Sequence, residues 1–147
     1  MLTQEEEAKL LSLCLEYLSE RRLPRPLPSN REEYESSQKA FDAIQRNEEA
    51  FDAWFDLDHE VFVDPTKGWK LILMLLSKTN NQDDWATIGA GVLQTFVFQH
   101  GSTFAANIAS EAERNPRLRE ALRLVRGIEE HPELADRLRM IFGGGVS

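Results

Sequence analysis

Asp56, His59 and Glu60 are the residues with the plainest chemistry. Asp56-x-x-His59 has the spacing of a carboxylate–imidazole metal pair, and Glu60 follows four residues after Asp56. On a helix, residues three and four apart share a face. A metal enzyme built from helices, however, takes such a pair from each of two helices and adds further glutamates. No second pair accompanies this one, because Val97 stands three before His100 and Ile128 three before His131. The cluster therefore reads as a solvated acidic helix face, with a metal-dependent enzyme as the competing class. No metal and no cofactor is implied.

Nucleophilic chemistry has less support. Cys14 falls on the stripe Leu11, Cys14, Leu15, Leu18 and reads as a small buried hydrophobe. The GxSxG turn that presents a catalytic serine is absent. No residue is assigned a catalytic role.

Gly89-Ala90-Gly91 raises a third possibility, a loop that cradles phosphate. A dinucleotide fingerprint needs a strand before its first glycine and a third glycine where Gln94 stands, and a P-loop needs Gly-Lys-Ser/Thr. Neither is present. Trp85, Ile88, Gly89, Val92, Leu93, Phe96, Val97 and His100 instead form one continuous helical stripe that contains the first glycine. An interior glycine weakens a helix by about 1 kcal/mol relative to alanine. The expected return at Gly89 is close backbone approach by another helix, with 65–78 the expected partner. Gly91 lies on the opposite side with Thr87, Gln94, Thr95 and Phe98, as a second packed layer or a recognition surface. His100-Gly101 reads as a helix end, with glycine in the left-handed position. Phe98 and His100 join the candidate interaction surface.

The elements that position these residues are helices. Thr3 with Glu6, and Asn30 with Glu33, have capping-box spacing. Asp64-Pro65, Asn115-Pro116 and His131-Pro132 place proline at a first helical position, where its missing amide costs nothing; His131 is the poorest cap of the three. The spacing predicts helices near 4–21, 31–46, 49–62, 65–78, 84–99, 103–113, 116–127 and 132–142, mostly joined by short connections. The run 71–76, with Trp69 beside it, is expected to be the central buried helix. AFDAI at 40–44 and AFDAW at 50–54 echo each other without establishing a long repeat. Arg119, Arg123 and Arg126 are expected to share one salt-bridged face of the helix 116–127.

At 147 residues the chain reads as one domain with an ordinary core. A lone cysteine fits a reducing cytosol. The acidic start is not a secretory signal, and no apolar run approaches the ~20 residues that span a bilayer. The net charge is −8, and the acids and arginines from Glu111 onward cancel, so the excess lies in residues 1–110. That balance disfavours nucleic acid and suits a basic protein partner.

The ordered set Asp64-Pro65, Gly68-Trp69-x-Leu71-Ile72-Leu73-x-Leu75-Leu76, Ile88-Gly89-Ala90-Gly91-x-Leu93, His100-Gly101, Phe104, Ile108, Glu111-Ala112, Asn115-Pro116, Leu118-Arg119 and Ala121-Leu122 resembles a family of small bacterial domains of unknown function. The resemblance covers 48–126 and implies an all-helical domain without supplying an activity. Proline and glutamate commonly stand in that family where this chain has Val92 and Gln94. An acid-dependent activity resting on that glutamate would be missing here.

The expected protein is thus an all-α single-domain helical bundle, with helix pairs that stack. The first helix, 1–22, is expected to join the remainder through a proline-rich linker, 23–30, and 143–147 to form a flexible tail. The expected function is non-enzymatic protein–protein interaction in the bacterial cytosol, as an immunity-type binder of a basic partner. A homodimer is the further expectation. Leu10, Leu13 and Tyr17 form a second apolar stripe on the first helix, surplus to docking it on a core.

Overall fold

A computed structural model of the protein describes residues 2–21, Glu32 and 48–142. These are helical, and the fold is the expected all-α single-domain arrangement of packed helix pairs. The elements are α1 (Gln4–Arg21), α2 (Glu48–Val63), α3 (Pro65–Ser77), α4 (Gln82–Ile88), a π-helical turn (Gly89–Leu93), α5 (Gln94–His100), α6 (Ala105–Arg114), α7 (Pro116–Leu122), a 3₁₀ turn (Ile128–Glu130) and α8 (Pro132–Ile141). The expected linker 23–30, the helix 31–46 with its Asn30–Glu33 cap, and the tail 143–147 lie outside the described residues.

Local chemistry explains the helix starts. The Thr3 hydroxyl accepts the Glu6 amide at 3.1 Å while the Glu6 carboxylate accepts the Thr3 amide at 3.3 Å, a closed capping box. Asp64 and Asn115 accept the Lys67 and Leu118 amides, each with proline next in line. Asn81 caps α4 through the Asp84 amide, and its own amide donates to the Asp84 carboxylate. His131 makes no cap. Its ring nitrogen Nδ1 bonds the Ser102 hydroxyl instead, at 2.9 Å.

The chain falls into two compact units, residues 1–56 and 57–147. In the first, Leu11, Cys14 and Leu18 of α1 are buried together with Ala50 and Ala53 of α2. The Cys14 thiol reaches the Ala53 carbonyl at 3.6 Å. In the second, α6 packs on α7 and α8, while α7 also packs on α4, the π turn and α3. The stripe read from 83–101 is the core of this unit: Ile88, Gly89, Val92, Leu93, Phe96 and Val97 are all buried.

Four expectations change. Gly89 does meet another helix at backbone distance, but the partner is α7, not the helix 65–78. A Cβ added there would fall on the Ala121 carbonyl oxygen and lie 3.2 Å from the Ala121 Cα. The helix expected at 116–127 stops at Leu122, where i to i−3 bonds from Leu124 and Val125 tighten the last turn. Helix α3 buries one face, Gly68, Leu71, Ile72, Leu75 and Leu76, and leaves Trp69, Leu73 and Met74 half-buried. Gly101 is right-handed, at φ −58°. A Cβ there would collide with the Val97 carbonyl oxygen and would stand 3.1 Å from the His131 ring.

The Gly89 contact sets a signed test. Alanine has better helix propensity by about 1 kcal/mol, yet overpacking typically costs about 1–3 kcal/mol. Here the colliding atom is backbone, which yields little. Gly89→Ala is expected to lower the urea midpoint, and Gly89→Leu to lower it further. A Gly89→Leu variant with an unchanged midpoint would contradict the contact.

Candidate functional site

Unit 1 carries an aromatic surface. Tyr17 of α1 stacks on Trp54 of α2 with centroids 4.8 Å apart, and stands 6.3 Å from Phe51. Phe51 and Phe55, four residues apart, meet edge to face at 4.9 Å. Trp54 is buried beneath, whereas Phe51 is 53% and Phe55 57% exposed. Exposed Glu49, Asp52 and Asp56 stand along the same helix. Of the second stripe on α1, Leu10 is buried and Leu13 and Tyr17 are half-buried. Spacing alone does not single out Phe51 and Phe55, because i, i+4 is itself a core pattern. The AFDAW echo at 50–54 contains Phe51 and not Phe55.

In unit 2 the later half of α2 is tied to α5. The Thr95 hydroxyl donates to the Asp58 carboxylate at 2.7 Å. His100 Nε2 lies 3.1 Å from the Val61 carbonyl and 3.0 Å from that of Phe62. The last carbonyls of a helix have no intrahelical partner, so with Nε2–H as donor His100 caps α2. Beyond these ties Phe62 and Val63 are exposed, and so is Phe98, at 67%. Trp69 stacks on Phe96 at 5.2 Å, and Phe96 also meets His100 and Phe104. Trp69 and His100 thus frame one aromatic core, and Phe98 alone of the α5 candidates faces outward. Gly91 is half-buried, and its carbonyl lies 3.4 Å from the Thr95 hydroxyl.

The groups suited to catalysis are otherwise placed. Asp56 and His59 are exposed and Glu60 half-buried. Among the described residues no three histidine, cysteine or acidic side chains converge to hold a metal ion. Burial, then the nearby Asp56 charge, pushes the Cys14 thiol up to about 12, which suppresses the thiolate. Ser102 and His131 form a pair that spacing does not reveal, yet among the described residues no carboxylate orients the other ring nitrogen.

The arginines act as ties. Arg119 donates to the Ala112 and Glu113 carbonyls at the end of α6. Arg123 pairs with Glu120 at 3.6 Å and lies over the Phe142 ring. Arg126 lies beyond α7, and its backbone amide donates to the Gln94 side-chain oxygen at 3.1 Å. A hollow of about 310 Å³ floored by Leu122, Val125 and Leu138 has Arg123 and Arg139 at its rim. Each of these arginines already engages a carboxylate, Glu120 and Asp136 respectively.

Fold and surface together define a small all-helical domain with exposed aromatic side chains among carboxylates. The chain belongs to the family of unknown function DUF6869, whose model matches residues 42–144. No curated protein and no solved structure matches it. Among the described residues no helix is long and apolar enough to cross a membrane.

Cys14 supplies a pH test. Its folded thiol value, about 12, lies above the ordinary one, so the folded state holds the proton longer. The stabilisation is complete below the ordinary thiol value, ~8.5, and is lost as pH climbs toward 12. Iodoacetamide at mildly alkaline pH is expected to modify Cys14 only after denaturant is added, and Cys14→Ala is expected to flatten the alkaline fall in stability relative to wild type. Rapid labelling of the folded chain would refute the burial.

A second test concerns the acidic face. Zinc or manganese is expected to leave the melting temperature unchanged, since a ligand that binds only the folded state must raise it. A rise abolished by His59→Ala would restore the metal class.

Proposed function

We propose that the protein is a non-enzymatic interaction module of the bacterial cytosol that binds a basic protein partner, as immunity-type proteins do. The observation that carries this reading is α2. Residues 48–63 hold six carboxylates, no lysine and no arginine, and the helix leaves Phe51, Phe55 and Phe62 exposed. Large apolar rings in water are a standing cost that a partner relieves, by roughly 1.5–3 kcal/mol for each fully buried phenylalanine. The carboxylates steer a basic partner and repel nucleic acid. They also oppose self-association, because an isologous dimer sets the same acidic surface against itself.

The test is capture. Tagged wild type and an Asp52→Lys/Asp56→Lys variant are used to retain proteins from the source cell, identified by mass spectrometry after crosslinking. One basic protein is expected on the wild type only, released as salt rises past the range where surface charges are screened, about 0.15 M and above. Equal retention by the charge-reversed variant, or no protein retained at low salt, would count against the proposal.

A further inference from the structure

We propose that the ring pair Phe51–Phe55 with Asp52 and Asp56 is the seat for the arginine-bearing face of a partner's amphipathic helix. This rests on the interaction reading above and names the surface and the chemistry that fits it. The seat is built in advance. Phe51 and Phe55 meet edge to face at 4.9 Å, Tyr17 flanks Phe51, and Trp54 stacks under Tyr17. Rings already in mutual contact have less side-chain freedom to lose on binding than rings standing apart.

The charges choose the occupant. Asp52 and Asp56 each follow one of the two rings and are exposed, four residues apart. Like charges at that spacing repel across a helix turn, and α2 contains no lysine or arginine to offset them. An apolar helix laid on the rings would desolvate both carboxylates without a counter-charge. An acidic helix would be repelled. A lysine ammonium pairs with a carboxylate but is strongly hydrated and lacks a flat face. A guanidinium stacks on a phenylalanine ring and donates from its edge to a carboxylate at the same time. Ring and carboxylate alternate along α2, so arginines repeated at i and i+4 on the incoming helix match the repeat of the seat.

Three synthetic helical peptides test this, with identical leucine faces and with arginine, lysine or glutamate at paired i, i+4 positions. Each is titrated calorimetrically into the full chain, into Phe51→Leu/Phe55→Leu and into Asp52→Asn/Asp56→Asn, with circular dichroism confirming each fold. The arginine peptide is expected to bind wild type several-fold tighter than its lysine twin, and the glutamate peptide not at all. The leucine variant keeps the apolar surface but loses the ring faces, and should bring the arginine-to-lysine ratio close to one. The asparagine variant should weaken both basic peptides and flatten their salt dependence. Equal binding of the arginine and lysine peptides by wild type, a preference that survives in the leucine variant, or no binding of the arginine peptide would overturn the seat. Capture of a basic protein together with failed peptides would remove the seat and leave the interaction standing. Ring-dependent peptide binding without capture would do the reverse.

Discussion

The second unit depends on one close approach, the backbone of α7 at Ala121 against Gly89. A side chain at position 89 would hold the two helices apart. Without one, α7 lies against α4 and the π turn. A π turn carries one more residue per hydrogen-bonded ring than an α turn, so it rotates the helix that continues from it. That helix is α5, and its direction fixes three contacts. Phe96 enters the core beside Trp69 and Phe104, His100 reaches the final carbonyls of α2, and Thr95 meets Asp58. The glycine that resembles part of a phosphate loop is thus the point from which the polar ties of α5 are set.

The first unit solves a smaller problem with fewer parts. The residues Leu11, Cys14 and Leu18 of α1 and Ala50 and Ala53 of α2 are buried, and the Cys14 thiol reaches the Ala53 carbonyl at 3.6 Å. That leaves Tyr17 over Trp54 and puts Phe51 and Phe55 beyond the shelter of α1. The helix α2 carries apolar residues on more than one stripe, and Ala50, Ala53, Trp54 and Leu57 are the buried ones.

Much of this is legible in the residues. Helix starts are readable because capping chemistry is local: Thr3–Glu6, Asp64-Pro65 and Asn115-Pro116 each act within one turn. The buried stripe of 83–101 is readable because its period is set by the helix itself. The partner of Gly89 is not, since spacing shows that a helix face is flat and cannot show which helix lies on it. The end of α7 is hidden because i to i−3 tightening leaves no composition signal between Leu122 and Gly127. That Leu10 is buried is not readable, because periodicity counts stripes without knowing how wide a face the neighbours cover. Phe51 and Phe55 mislead in the opposite way, as apolar residues at core spacing left in water.

Polar side chains elsewhere in the fold are largely engaged at helix ends, and this bears on what the surface is for. His100 closes α2 and Arg119 closes α6. Gln94 accepts the Arg126 amide through its side-chain oxygen. His131 braces the turn after α5 through Ser102. His100, Arg119 and His131 thus each tie a helix end or turn to a neighbouring element. Asp52 and Asp56 of α2 differ, whereas Asp58 accepts from the Thr95 hydroxyl. Among the described residues Asp52 and Asp56 cap no helix, stand exposed on an element without lysine or arginine, and sit beside rings that water disfavours. Among the described residues neither the charge of Asp52 and Asp56 nor the apolar area of Phe51 and Phe55 is met by a cation or a covering side chain.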